Sequence, residues 1–133
     1  TGSASLLDEL ASGSDNITIE QLDVANPSSI EEASSKIGTT AIDTVIIVAG
    51  AVGGMPENQS IDNIDIEEWH RTLDTNTIGP LLVAKAFKDN LVASGNGNLM
   101  ILSSQLEAST WPMGGMYIYS TTKDGDKGKL IVL

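Results

Sequence analysis

The chain has 133 residues, enough for one domain, and aromatic residues are only 4% of it, so its core must be aliphatic. Acidic residues outnumber basic ones 18 to 7, a net charge of −11. That balance lacks the basic footprint that a nucleic-acid backbone or an anionic membrane surface requires, and the absence of cysteine excludes disulfides, thiol catalysis and Cys-ligated metal sites.

The opening "TGSASLLDEL" has no initiator Met and reads as the middle of a larger domain. No basic stretch followed by an apolar run marks a secretory signal, and no apolar run approaches the ~20 residues of a membrane span, so a cytoplasmic protein is expected. Residues 3–12 read as the last turns of a helix, stopped by Gly13. Residues 16–24, "NITIEQLDV", read as a strand. A helix follows: Asn26 can cap it, Pro27 suits its first position, Ser29 with Glu32 matches a capping box, and Gly38 ends it.

From Asp43 the run "DTVIIVAGAVGG" is continuously apolar and β-branched before its glycines. Such a run predicts a strand covered on both faces, as in a parallel sheet. After a polar loop, Asp65 and Glu68 mark the start of a long helix. Trp69, Leu73, Ile78, Leu81, Leu82, Ala84, Ala86, Phe87 and Leu91 give it an apolar face, and Gly95 ends it. Residues 98–104 form a further strand. A loop with Trp111, Pro112, Gly114 and Gly115 leads into "MYIYSTTKDGDKG", and "KLIVL" reads as another strand. Strands alternating with helices predict an α/β domain with a mostly parallel sheet.

Ligands in open α/β sheets bind beyond the C-terminal ends of the strands. Asp23, Ala49-Gly50, Ser103-Ser104 and the segment from Tyr119 to Lys123 all fall there. Tyr119 and Lys123 are four residues apart and share one helix face. A Lys ammonium beside a phenol favours the phenolate, which suits a Tyr that moves a proton during carbonyl–alcohol interconversion. Alone, that pair is a weak signal. Ser104 offers a hydroxyl that can polarise a carbonyl oxygen, or it makes a turn at the strand end. Pro80 has no N–H for the carbonyl of Asn76, so that carbonyl is either free to hold a water or the helix simply kinks. His70, the one histidine, reads as a surface residue with no metal cluster around it, and "DGDKG" reads as a turn. Trp111 and Met116 either touch a substrate or pack the loop.

Taken in order, Asp23-Val24, Ala49-Gly50, Asn76-(x2)-Gly79-Pro80, Ser103-Ser104 and Tyr119-(x3)-Lys123 resemble the short-chain dehydrogenase/reductase family over nearly the whole chain. Residues 103–123 are most similar to its C-signal-like carbonyl reductases. The resemblance implies that residues 1–133 form a partial Rossmann-like domain binding NAD or NADP, acting on a small carbonyl or alcohol, in a fold that forms homo-oligomers when intact. It implies Tyr119 as acid/base and Lys123 as its partner and ribose contact. Ser104 would orient the carbonyl, and Asn76 would anchor a proton-relay water. Asp23 and Val24 would line the adenine pocket, with Ala49 and Gly50 along the cofactor.

The departures set the alternative. The family's opening strand, Gly-rich turn and helix, whose N-terminus holds the pyrophosphate, have no counterpart in this sequence. The usual Asn-Asn-Ala-Gly reads Ile47-Val48-Ala49-Gly50, and the long helix expected after Lys123 meets "DGDKG". In the family fold the first two strands lie between residues 16–24 and residues 43–49. Here those two segments either pair directly or leave bare edges. The chain by itself is therefore either an oxidoreductase or a truncated, inactive paralogue acting at most as an interaction fragment.

Overall fold

The computed structural model describes residues 5–55, 59–107 and 116–125. Its elements in chain order are α1 (Ser5–Ser12), α2 (Pro27–Ile37), β1 (Thr44–Ile47), α3 (Ile66–Leu73), a π-helical turn (Asp74–Ile78), α4 (Gly79–Ala86), α5 (Lys88–Ser94), β2 (Asn98–Ile101), a 3-10 turn (Gln105–Glu107) and α6 (Tyr117–Asp124). The expected loop around Trp111 and the strand "KLIVL" lie outside the described residues.

β1 and β2 pair in parallel, from Thr44 against Asn98 to Ile47 against Ile101. Parallel neighbours need a long crossover, and α3 to α5 supply it. One face of this small sheet builds the core. Val45, Ile47, Leu99 and Ile101 pack with Val24, with Ile30 and Ala33 of α2, and with Val83, Ala84, Phe87 and Leu91 of α4 and α5. Asn90 locks the turn before β1 onto α5. Its Nδ2 donates to the carbonyls of Gly38 at 2.8 Å and Thr40 at 2.7 Å, and its own carbonyl accepts from Ile42 N–H.

Several expectations are confirmed locally. Asn26 caps α2 through its side chain, Pro27 starts the helix, and Gly38 closes it. Asp65 caps α3 by accepting from Glu68 N–H at 3.0 Å, and Gly95 ends α5 in a left-handed conformation.

Others are corrected. Residues 17–23 form no strand. A strand needs a neighbour for its ladder, and the described sheet contains only β1 and β2. The segment is tied to α2 instead: Ser29 Oγ accepts from Asp23 N–H at 2.9 Å, and Lys36 pairs with Glu20. That pair raises the Lys36 pKa, by hydrogen bond first and charge second. The Ser29–Glu32 capping box is not formed, because Ser29 already sits in the first turn of a helix capped by Asn26. Residues 16–24 and β1 do not pair. An apolar cleft of about 360 Å³ lies between Leu22 and Val24 on one side and β1 on the other.

The continuous run at residues 43–54 is not covered on both faces by the described residues: Ile46 is 63% exposed and Met100, opposite it, 52%. The long helix after Asp65 is broken into pieces. Pro80 cannot donate back to Asn76, so the chain widens into the π turn, with Gly79 N–H bonded to the carbonyl of Asp74. A further break falls at Phe87, between α4 and α5.

Gly79 is where this helix meets the segment before α2. A Cβ there would stand 2.6 Å from the Val24 carbonyl oxygen and 3.0 Å from that of Asp74. Gly79→Ala is therefore expected to destabilise the fold by roughly 1–3 kcal/mol, read as a lower urea midpoint. Gly13→Ala, whose Cβ would meet nothing closer than 3.5 Å, should leave the midpoint unchanged or raised. Asn90→Ala, which strips donors from two carbonyls at once, should cost roughly 1–3 kcal/mol in the same titration.

Candidate active site

α6 carries the Tyr119–Lys123 pair, and its placement depends on buried polar contacts to three other parts of the chain. The side chain of Asn76, in the π turn, has no solvent exposure. Its Oδ1 accepts from Ala51 N–H at 2.8 Å, while Nδ2 donates to the Ala51 carbonyl and to Thr122 Oγ1, both at 2.9 Å. Beside it, Thr77 Oγ1 donates to the Thr122 carbonyl at 2.7 Å. One turn of helix thus joins the exit of β1 to α6.

The start of α6 is held by Gln59, a fully buried residue in the loop after β1. Its Oε1 accepts from Tyr119 N–H at 3.1 Å, and its Nε2 donates to the carbonyls of Val52 at 2.9 Å and Gly54 at 3.3 Å. Gly53, at φ +82°, packs under the helix, where a Cβ would approach Ile118 Cγ2 to 2.6 Å. The other end of α6 is held by Lys123. This side chain is only 4% exposed, and its Nζ donates to the Leu102 carbonyl at 2.7 Å, just past β2. Tyr119 is half-buried, and among the described residues its hydroxyl has no hydrogen-bond partner.

The other expected residues divide into two groups. Ser104 lies in the segment running into the 3-10 turn, which packs against α6. Its Oγ accepts from Leu106 N–H at 3.2 Å, so it makes the turn, and a hydroxyl that accepts still has a proton to donate. Gly50 lies against Asn76, with the position of an added Cβ 3.6 Å from Asn76 Oδ1. Val24 and Ala49 line the same apolar cleft beside β1, although Val24 is also a core residue. Asp23 is turned to local work: its Oδ1 accepts from Ala25 N–H at 3.0 Å, closing the turn that leads into α2.

Asn76 was expected to act through its main-chain carbonyl; the structure gives its side-chain amide the central contacts. Gln59, Thr77 and Thr122 were not singled out from the sequence. Thr122 sits beside Lys123 and shares its helix, a signal that existed. Gln59 lies in a polar loop sixty residues from Tyr119, with no local pattern to mark it.

These residues fit part of a dinucleotide. Lys123 and Tyr119, on one helix, carry the donors that a ribose would need, and Gly50 turns its Cβ-free side to the Asn76 amide. A diphosphate needs unpaired N–H groups or basic side chains. The Ala51 N–H is already taken by Asn76, and no glycine-rich strand-to-helix turn stands among the described residues.

At 33% identity over 120 residues, the chain resembles the NADP-dependent 3-hydroxy acid dehydrogenase YdfG of Escherichia coli K12, covering 89% of this chain and 45% of that protein. The chain therefore spans about half the length of the curated relatives it matches. Among solved structures it resembles the carbonyl reductase Sniffer of D. melanogaster, with a TM-score of 0.80 and 26% identity over 92% of this chain and 55% of that one. Serine dehydrogenase from Escherichia coli superposes with a TM-score of 0.74 at 29% identity, over 91% and 55% of the two chains. The short chain dehydrogenase family model matches residues 2–128, and the chain belongs to that family.

Proposed function

We propose that this chain carries the acid/base half of an NADP-dependent oxidoreductase that interconverts a small carbonyl compound and its alcohol. The observation that supports this reading best is the anchoring of α6. Gln59, Asn76, Thr77 and the Leu102 carbonyl hold the helix, while the Tyr119 hydroxyl has no partner among the described residues. NADP is preferred over NAD because the similar dehydrogenases are named as NADP-dependent. A 3-hydroxy acid is the first substrate class to try, following the same names.

When bound, a reduced nicotinamide supplies the hydride that reaches the carbonyl carbon. Tyr119 delivers its phenolic proton to the carbonyl oxygen, so the substrate leaves as the alcohol and the phenolate remains on Tyr119. Lys123, one helical turn on, would hold the ribose of the cofactor through its ammonium. Ser104 directs its remaining O–H proton at the substrate oxygen as negative charge grows there. Asn76 ties Ala51 at the exit of β1, where the cofactor would lie, to Thr122 on the helix that bears Tyr119. Val24 and Ala49 line the apolar cleft that would take the adenine side of the cofactor.

A second reading, a non-catalytic interaction fragment, is favoured by the uncovered apolar sheet face at Ile46, Val48, Met100 and Leu102. Titration of the chain with NADPH, followed by nicotinamide fluorescence, separates the two. Saturable binding below about 1 mM, with the upper end of ordinary KM values as the yardstick, supports the oxidoreductase. Its absence supports the fragment. In a chain that turns over, Tyr119→Phe should lower kcat by about 10²–10⁴-fold and leave NADPH affinity within about threefold; an unchanged kcat would remove Tyr119 from the acid/base role.

A further inference from the structure

The start of α6 lacks the usual cap. Helices ordinarily begin with a Ser, Thr, Asp or Asn whose oxygen takes one of the first N–H groups. Here the position is filled by Met116, which has no such oxygen and adopts a left-handed conformation at φ 53°. Service within the helix begins only at Ser120, whose N–H reaches the Met116 carbonyl at 2.9 Å. The N–H of Tyr119 is one position too early. Gln59 accepts it from outside the helix.

Gln59 is suited to more than capping. Its single amide uses its acceptor on Tyr119 and its donors on Val52 and Gly54. A flipped amide would set N–H against N–H and oxygen against two carbonyls, so the partners determine its orientation. The carbonyls it holds flank Gly53, the residue on which Ile118 rests. The loop leaving β1 and the first turn of α6 therefore close as one unit, at the residue that bears the phenol.

We propose that Gln59 is a positioning residue for Tyr119: its amide sets the height and rotation of the phenol relative to the exit of β1. The proposal rests on the acid/base reading of Tyr119, and its test keeps the two apart. Amide exchange followed by NMR reads the contact itself. In Gln59→Met, the Tyr119 amide should exchange about tenfold faster, while the amides of Ser120 and Gly125, served inside α6, change far less. Unchanged Tyr119 exchange overturns the proposal, with or without turnover.

Kinetics read the consequence. Gln59→Met should lower kcat about ten- to hundredfold with NADPH affinity within about threefold. In a Tyr119→Phe background it should lower the residual rate no further, because the group being positioned is gone. A merely structural role would multiply the two losses, and that outcome overturns positioning while leaving Tyr119's role intact. A Tyr119→Phe chain with full activity removes the acid/base reading while the exchange result still stands. Should Gln59→Met not fold, Gln59→Glu, which keeps an acceptor for Tyr119 and loses both amide donors, is read in the same cycle. The same non-additivity is expected, and multiplied losses overturn the proposal.

Discussion

One buried amide holds the working end of this molecule together. Asn76 has no contact with solvent, and its oxygen and nitrogen are both used, on both backbone groups of Ala51 and on the Thr122 hydroxyl. In so dry a place an unpaired polar atom costs its whole desolvation energy, so these contacts are made together or not at all. The strand exit, the crossover helix and α6 meet at that point. Its position follows from Pro80, whose missing N–H opens the helix into the π turn that carries Asn76. Adding one residue to a turn shifts the faces on either side by roughly 100°, so the same helix can serve the core through α4 and α5 and the site through Asn76 and Thr77.

Around that point the molecule is built on one side. Among the described residues the sheet contributes Val45, Ile47, Leu99 and Ile101 to the core, where α2, α4 and α5 pack against them. The alternate residues Ile46, Val48, Met100 and Leu102 point the other way and are exposed. Beside β1 the apolar cleft marks the place where Leu22 and Val24 approach the strand without pairing to it. A chain that spans 45% of the length of its curated relatives carries this much uncovered apolar surface on its sheet, and such surface is where other protein elements pack.

How much could be read in advance differed by element. Caps were legible because they are local: Asn26 before Pro27, and Asp65 three residues before Glu68, answer a backbone need within one turn. The Tyr119–Lys123 pair was legible because four residues along a helix bring two side chains together whatever surrounds them. Residues 16–24 misled because alternation describes a strand's side chains and says nothing of whether a neighbouring strand exists to take its hydrogen bonds. The run from Val45 to Val48 misled in the same way. It showed β-branched residues fit for a two-sided burial, while the described residues cover one side.

By itself the sequence determined the family, the two paired strands with helical chain between them, the caps of α2 and α3, and the helix that presents Tyr119 and Lys123. Each of these depends on spacing within a few residues or on a pattern carried along the whole chain. Tertiary structure alone decided that Asn76 works through its side chain, that Gln59 caps a helix sixty residues away, that Lys123 reaches the Leu102 carbonyl, and which face of the sheet is covered. Those are matters of which buried donor finds which acceptor, and a donor's partner is chosen by the folded distance between them, which no local spacing encodes.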